Sequence, residues 1–196
     1  MFFVFLFILI VFILWAIVLY VRKSHWDTIH RNLLDLEDHF EGKVIRRGFA
    51  ARPFFHGKVK GYPFTLNIST ERLKDKRMNY VDISWDLPAG EALTISELEW
   101  LKKQRENNTE GLTVVEAENG KKFAFIHKNK KRLEQIVGYP VVKDFINHFE
   151  ELCYVFLSKN GLICEFSTDN LARATEFESL NKRLDLLKKL GEAFKQ

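Results

Sequence analysis

The sequence predicts an α+β protein: an N-terminal transmembrane helix followed by one soluble domain of antiparallel β-hairpins packed with helices. Three observations support this class. An apolar segment of membrane length opens the chain, two Asn-Gly dipeptides separate strand-like segments, and an amphipathic segment predicts a long C-terminal helix. We therefore expect a transmembrane anchor at 1–21, a juxtamembrane helix at 22–42 and a soluble α+β domain at 43–196.

Residues 2–21 have the length and composition of a membrane-spanning helix. They contain no charged residue, no proline and no glycine, and Arg22 and Lys23 follow directly. At about 1.5 Å of rise per residue, this segment is roughly 30 Å long, the thickness of the hydrocarbon core of a bilayer. A cleaved signal peptide would have a basic start and small residues before the cleavage site, and neither is present. We expect residues 2–21 to remain in the protein as a bilayer anchor.

The charges beside the anchor predict its orientation. Arg22 and Lys23 lie at its C-terminal edge, and the positive-inside rule places that edge in the cytoplasm. The two cysteines, Cys153 and Cys164, are too few for a disulfide scaffold, and the predicted hairpin separates them by about 13 Å. We therefore expect a single-pass membrane protein with its N-terminus outside and its C-terminal domain in the cytoplasm.

An apolar stripe follows the anchor at helical spacing. It predicts a juxtamembrane helix that ends near Gly42, because glycine is favoured just after a helix end. The stripe can cover the sheet of its own domain or form the seam of a parallel dimer. It spans barely two heptads, less than a coiled coil requires, so the first alternative is favoured. Its members are Trp26, Ile29, Leu33, Leu36 and Phe40.

Residues 43–87 are predicted to be rich in β-structure. Gly57 and Gly61 mark turns in this region, and Val81 and Ile83 alternate with polar residues, as in a half-buried strand. The predicted strands are 43–50, 53–59, 64–69 and 78–87.

Hairpins and helices alternate in the second half of the domain. Ser96 and Glu99 have the spacing of a capping box, which predicts a short helix. Asn119-Gly120 predicts a type I′ hairpin, and Pro140 suits the first turn of a helix. The predicted elements are a helix at 96–106, a hairpin of 112–117 with 122–127, a helix at 130–137, a helix from 140 and a hairpin at 153–167.

The last hairpin and the last helix are predicted to complete the core. With Asn160-Gly161 as the turn, Cys164 lies opposite Leu157 and one hairpin face is wholly apolar. The final helix, 169–195, is apolar on one side and basic on the other. The apolar hairpin face consists of Cys153, Val155, Leu157, Leu162, Cys164 and Phe166; the apolar helix side of Phe177, Leu180, Leu184, Leu187 and Phe194; and the basic helix side of Arg173, Lys182, Arg183, Lys188 and Lys189.

The sequence contains no common motif of a catalytic, cofactor or metal site. The patterns Gly-x-Ser-x-Gly, Gly-x-x-x-x-Gly-Lys-Ser/Thr, Gly-x-Gly-x-x-Gly, His-x-x-x-His and Cys-x-x-Cys are all absent. His148 and Glu151 have the helical spacing to share a ligand, but a solvated pair is the more common outcome. We therefore predict no catalytic, cofactor-binding or metal-binding residues and no cofactor, which disfavours an enzyme without excluding one.

Two acid-free basic segments form the candidate binding surface. Residues 42–70 and 121–132 each contain six Lys or Arg residues and no acid, in a chain of net charge +4. Three interpretations of these segments are open: they dock on anionic lipid, they form an ordinary solvated face, or they bind nucleic acid. The membrane anchor disfavours binding of nucleic acid. The candidate lipid- or partner-binding residues are Lys43, Arg46, Arg47, Arg52, Lys58, Lys60, Lys121, Lys122, Lys128, Lys130, Lys131 and Arg132.

These observations favour a membrane-anchored binding or scaffold module of unknown specificity on the cytoplasmic face. Its expected partners are the lipid bilayer, through residues 2–21, and a membrane protein or a second copy of the chain. The alternative hypothesis is a membrane-tethered enzyme with an unrecognised site, acting on a lipid or envelope precursor. A deep pocket with convergent polar groups would distinguish the enzyme from the scaffold.

Overall fold

The computed structural model describes residues 2–49, 51–73, 76–104 and 112–195. Within these ranges the chain forms helices and one antiparallel sheet. The helices are α1 (Phe2–His39), α2 (Leu98–Gln104), α3 (Lys130–Val137), α4 (Pro140–His148), α5 (Leu171–Ala174) and α6 (Phe177–Ala193). The strands are β1 (Glu41–Ile45), β2 (Phe54–Val59), β3 (Tyr62–Leu73), β4 (Lys76–Trp85), β5 (Leu93–Glu97), β6 (Thr113–Glu116), β7 (Lys122–Ile126), β8 (Leu152–Ser158) and β9 (Gly161–Thr168).

The nine strands form one sheet with the order β1-β2-β3-β4-β9-β8-β5-β7-β6. Every pairing in it is antiparallel, and five of the eight neighbouring pairs join strands that are consecutive in the sequence. The predicted α+β class, with antiparallel hairpins and a C-terminal helix, is confirmed. The helical patterns at 130–137 and after Pro140 are also confirmed, as α3 and α4.

The main core lies between one face of this sheet and the helices. Alternate strand residues such as Leu66, Ile83 and Cys164 contact apolar side chains of α1, α4 and α6 there. On the opposite face, α2 covers only the region of β5 and β7, where Leu98 and Leu101 form a second small cluster with Ala124. The rest of that second face carries polar side chains with apolar ones among them, such as Ile163, which is 45% exposed, and it is called the open face below.

The first helix ends earlier than the sequence predicts. α1 ends at His39, and Gly42 lies inside β1, opposite Gly57 of β2. A Cβ atom on Gly42 would lie 2.4 Å from the ring of Phe55 and 2.9 Å from the Cα of Gly57. Gly42 is therefore required for the close approach of two strands and does not terminate a helix.

The capping-box prediction at Ser96 is wrong. Ser96 is a buried residue of β5, a strand that the sequence analysis missed, and its hydroxyl donates a hydrogen bond to the carbonyl of Cys153 at 2.9 Å. The helix begins two residues later, at Leu98. The predicted last turn of this helix lies outside the described residues. The strand predicted at 43–50 is too long, because β1 ends at Ile45 and residues 46–49 are not in a strand.

The last hairpin is confirmed, with a different register. Ser158 pairs with Gly161 and Cys164 lies opposite Val155, so the turn contains Lys159 and Asn160. The strand register is irregular between Leu152 and Tyr154. As a result the side chain of Leu152, and not that of Cys153 as predicted, packs in the main core. Both cysteines are buried and free, as expected.

The predicted C-terminal helix is interrupted between α5 and α6. The side-chain amide of Asn32 on α1 donates hydrogen bonds to the carbonyl of Ala172 and to the hydroxyl of Thr175, at 2.6 and 3.2 Å. Thr175, fully buried, also donates to the carbonyl of Leu171 at 2.7 Å. These polar contacts stabilise a short separate turn, which a periodicity argument cannot detect.

Candidate functional site

The apolar N-terminal segment continues without interruption into a helix that packs on the domain. Among the described residues, α1 is the helix long and apolar enough to cross a membrane, and its most apolar part is not buried in the domain. Farther along α1, the predicted stripe is buried at Trp26, Ile29, Leu33 and Leu36. It packs near β1, β2, α5 and α6, which confirms that the stripe covers its own domain.

Two contacts show that β1 runs back along α1 toward the membrane segment. The amide of Val44 donates a hydrogen bond to the carboxylate of Glu37, and the guanidinium of Arg46 donates one to Asp27 at 2.5 Å. Asp27 is ten positions closer to the anchor than Glu37, so the strand and the helix are antiparallel. The hydrogen bonds from Arg46 and then Lys23 lower the pKa of Asp27.

A third contact places β3 beside the same part of α1. The Arg52 guanidinium lies 5.8 Å from the ring centre of Trp26 and donates a hydrogen bond to the carbonyl of Ile68 at 3.4 Å. β3 is antiparallel to β2, so beyond Ile68 it also runs toward the anchor. Near its end, exposed Arg72 lies directly opposite exposed Arg77 of β4.

The structure does not bring the two predicted basic segments together. Lys43, Lys58 and their neighbours lie on β1 and β2, whereas Lys121 and Lys122 lie at β7, six strands across the sheet from β2. At about 4.8 Å per strand, this separation is roughly 29 Å. The remaining members of the second segment, 128–132, lie at the start of α3.

Several of the predicted basic residues contact groups within the domain. Arg132 forms a two-pronged ion pair with Glu91, with a shortest distance of 2.8 Å, and lowers the pKa of that carboxyl. Lys60 contacts Asp185 at 2.6 Å. Longer ion pairs join Lys121 with Glu97 at 4.0 Å and Lys122 with Glu116 at 3.8 Å, and Arg47 lies over the ring of Phe54. These side chains are less available to an external anion than the sequence alone indicated.

Two basic residues at the end of the domain nearest the anchor were not predicted. Arg72 and Arg77 were hidden because residues 61–100 as a whole carry four basic and seven acidic side chains. Phe49, in the β1–β2 connection, is 64% exposed; its position among the basic residues had left both interfacial contact and core packing open, with core packing the more common. The local sequence 71–77, which contains four basic residues, was the signal that could have revealed this end of the hairpin.

A second candidate site is a half-open pocket of about 460 Å³ between the α4–β8 connection, the α5 region and α6. Its walls are polar and carry both signs of charge, and they include His148 and Glu151. Its buried charged member is Arg183, only 8% exposed, although the amphipathic pattern predicted it on the solvent side of the last helix. The pocket therefore contains one buried cation.

Arg183 is held by contacts on each side of its guanidinium. Nη1 donates hydrogen bonds to the hydroxyl and carbonyl of Ser179, at 2.5 and 3.2 Å, and Nη2 lies 3.7 Å from the carboxylate of Glu151. The guanidinium also lies 4.5 Å from the ring centre of Phe166. Within the described structure its Nε has no hydrogen-bond partner. Burial lowers the pKa of Arg183 and raises that of Glu151.

The open face carries a pair of carboxyl groups. Asp82 of β4 lies directly opposite Glu165 of β9. Partial burial, followed by the hydrogen bond and the charge of Asp82, raises the pKa of Glu165 to about 7. Tyr80 lies on the same face, where burial and the charge of Glu71 raise its pKa to about 12. Two adjacent carboxyls that share a proton can donate and accept hydrogen bonds at neutral pH.

The geometry gives no support for a shared metal ligand at His148 and Glu151. His148 pairs with Asp144 at 2.9 Å, and Glu151 is directed toward Arg183. A search of the described residues finds no cluster of three or more His, Cys, Asp or Glu side chains arranged to hold a metal ion.

Comparison with known proteins gives a fold relationship. No protein-family model and no curated protein matches this sequence. The fold resembles a mycobacterial transport factor. The crystal structure of the mycobacterial trehalose monomycolate transport factor A, TtfA, aligns with a TM-score of 0.51 at 8% sequence identity, over 84% of this chain and 93% of the other. At this identity the likeness concerns the fold alone.

Proposed function

We propose that this protein is a single-pass, membrane-anchored scaffold module that holds its domain on the cytoplasmic face and presents it to a membrane-associated partner. The observation that supports the proposal most strongly is the continuity of α1. The helix passes from an exposed apolar segment of bilayer length directly into the buried stripe of the domain. Since no linker separates the two parts, the domain keeps a defined height and orientation at the membrane.

The orientation of the anchor is part of this proposal. Arg22 and Lys23 at its C-terminal edge favour a cytoplasmic domain by the positive-inside rule. The two buried free cysteines suit a reducing compartment. TtfA, which has a similar fold, is a transport factor. A scaffold that binds a membrane-associated partner is compatible with that description.

The open face is the surface that we assign to the protein partner. Outside the area beneath α2, it exposes polar side chains from β1 to β8, including His56, Thr65 and the Asp82–Glu165 pair. The basic residues Lys43 and Lys58 lie at one edge of this face, and the carboxyl pair lies near its centre. A partner with acidic groups facing the basic edge and basic groups facing the carboxyl pair would bind in one orientation.

Cross-linked affinity purification from native membranes tests the scaffold proposal. The bait is the full chain with a C-terminal tag, and the matched bait carries Thr65→Arg and Glu165→Arg on the open face. We expect a membrane protein to be captured by the first bait and lost from the second. A partner captured equally by both baits contradicts the assignment of the open face. A C-terminal reporter accessible from outside intact cells contradicts the orientation.

The Arg183 pocket supports a second candidate function, a membrane-tethered enzyme acting on a lipid or envelope precursor. Its buried cation and neighbouring carboxylates are convergent polar groups with shifted pKa values. The test incubates the full chain in nanodiscs with lipid extract and follows products by mass spectrometry. Products that form with the parent chain and disappear with Arg183→Lys support an enzyme. An unchanged extract removes this candidate.

A further inference from the structure

We propose that one end of the domain docks on the surface of the bilayer and binds anionic lipid headgroups. This docking edge consists of Phe49, Arg72 and Arg77. The inference rests on the proposed membrane anchor and adds to it a specific lipid contact. It also replaces the two long basic segments as the surface that meets the membrane.

The lengths of α1 and β3 bring the hairpin to the membrane edge. The contact through Arg52 sets Ile68 of β3 close to the level of Trp26 on α1. From there to Arg72 the strand advances four residues, about 13 Å at 3.3 Å per residue. From Trp26 to Arg22 the helix advances only about 6 Å at 1.5 Å per residue. Because the first distance exceeds the second, β3 is long enough to bring Arg72 to the level of Arg22 even when the strand is inclined to the helix axis.

Charge repulsion within the hairpin favours an anion at this place. Arg72 and Arg77 are directly opposite each other and both are exposed. Like charges in opposing positions destabilise a strand pair, and an anion between them removes the repulsion. Lipid phosphates are the anions nearest to a hairpin end at the membrane surface, and the anchor keeps them at high effective concentration.

The β1–β2 connection supplies an apolar group beside these charges. The carbonyl of Phe49 accepts a hydrogen bond from Arg46 at 2.5 Å, and the same guanidinium is bonded to Asp27 of α1. The Phe49 ring lies 5.4 Å from the ammonium of Lys23, which is at the anchor edge. An exposed aromatic ring held at this level can enter the headgroup region, as amphipathic surface segments do.

The basic residues at 128–131 do not share this location. Lys130 and Lys131 are exposed at the start of α3, which follows β7, six strands across the sheet from β2. They have the same charge as the two arginines of the docking edge. Neutralising them is therefore the matched control for neutralising the arginines.

The experiment measures the position of the docking edge relative to lipid in the full chain. Phe49→Cys is labelled with an environment-sensitive fluorophore, which the buried native thiols do not take up, and the protein is placed in nanodiscs with headgroup-quencher lipid. The discs contain phosphatidylcholine alone or a mixture with phosphatidylglycerol. Quenching should be stronger in the anionic discs and should decrease with added salt.

Arg72→Gln with Arg77→Gln should reduce the ratio of docked to undocked chains about 25-fold, because each basic residue near an anionic surface contributes roughly a fivefold factor. Lys130→Gln with Lys131→Gln should leave the ratio unchanged. Equal quenching in both kinds of disc, without salt dependence, overturns the docking edge. If the arginine variant is unfolded in a thermal melt, the test rests on the parent chain: quenching in anionic discs that does not decrease with added salt overturns the docking edge. Failure of the parent chain to remain in nanodiscs would instead refute the membrane anchor.

Discussion

Leu33→Ala tests whether the helix that leaves the membrane is part of the core of the domain. Leu33 is fully buried, with 0% of its surface exposed, and it lies in the stripe of α1 that packs on the sheet and on the C-terminal helices. Truncating a fully buried leucine to alanine costs about 2 to 5 kcal/mol of unfolding free energy. Because the stripe is enclosed by several elements and cannot easily collapse, we expect about 3 kcal/mol.

The neighbouring residue provides a matched control on the same helix. Leu34 is 37% exposed, so Leu34→Ala removes the same atoms from a position with much less buried surface. Exposed substitutions of this kind usually change stability by no more than about 0.5 kcal/mol. In a domain of this size 1 kcal/mol corresponds to roughly 2–4 °C in the unfolding midpoint. The expected decreases are thus about 6–12 °C for Leu33→Ala and under about 2 °C for Leu34→Ala.

The assay is thermal unfolding of the full chain in nanodiscs, followed by tryptophan fluorescence. Trp26 and Trp85, at 6% and 1% exposure, become solvated when the core opens. Equal midpoints for the two variants would refute the assignment of the stripe to the core. A loss of stability for Leu33→Ala that depends on the number of chains per disc would indicate a dimer seam.

Three further outcomes are expected. Since its pKa is raised to about 7, Glu165 contributes stability that is complete below about pH 4.5 and is lost as the pH rises through about 7. Glu165→Gln should therefore raise the unfolding midpoint at about pH 8, and exposed Glu150→Gln should not. Cys153, with a pKa raised to about 12 by burial, and Cys164 should react with a thiol reagent only in denaturant; reaction in the native state would contradict their burial. Asn32→Ala should cost about 1 kcal/mol, because the two hydrogen bonds donated by Asn32 are lost while the Ala172 carbonyl keeps the Thr175 hydroxyl at 3.1 Å; an unchanged denaturation midpoint would show that the contacts with α5 are dispensable.

Much of the fold was predictable because local physics determines it. The apolar anchor, the stripe from Trp26 and the helix from Pro140 follow from periodicity and from proline geometry, which require no knowledge of distant contacts. The hairpin at Asn119-Gly120 follows from the conformational freedom of glycine, since Gly120 has φ of +78°. Its turn is not the predicted type I′, which requires a positive φ at Asn119 as well. These features depend on residues within a few positions of each other.

The errors occurred where distant residues decide the outcome. In the last hairpin, Gly161 is the first residue of β9, with φ of +133°, and not the last residue of the turn. The strand pairing therefore differs from the predicted pairing by two residues, with Cys164 opposite Val155 in place of Leu157. Arg183 lies on the inner side of α6 because Phe166 and Glu151 accommodate its guanidinium. Neither partner is close to Arg183 in sequence, and the amphipathic pattern alone assigned this arginine to solvent.

The direct connection between anchor and domain also bears on the choice between a scaffold and an enzyme. An enzyme that collects substrate from a membrane or from solution gains from a flexible tether, which lets its site sample many orientations. Here the Asp27–Arg46 ion pair and the buried stripe begin within a few residues of the anchor edge and remove that freedom. In the membrane-anchored protein that we propose, the Arg183 pocket is consequently held in one orientation toward the bilayer. A fixed orientation favours repeated contact with one partner surface, which is the property that a scaffold requires.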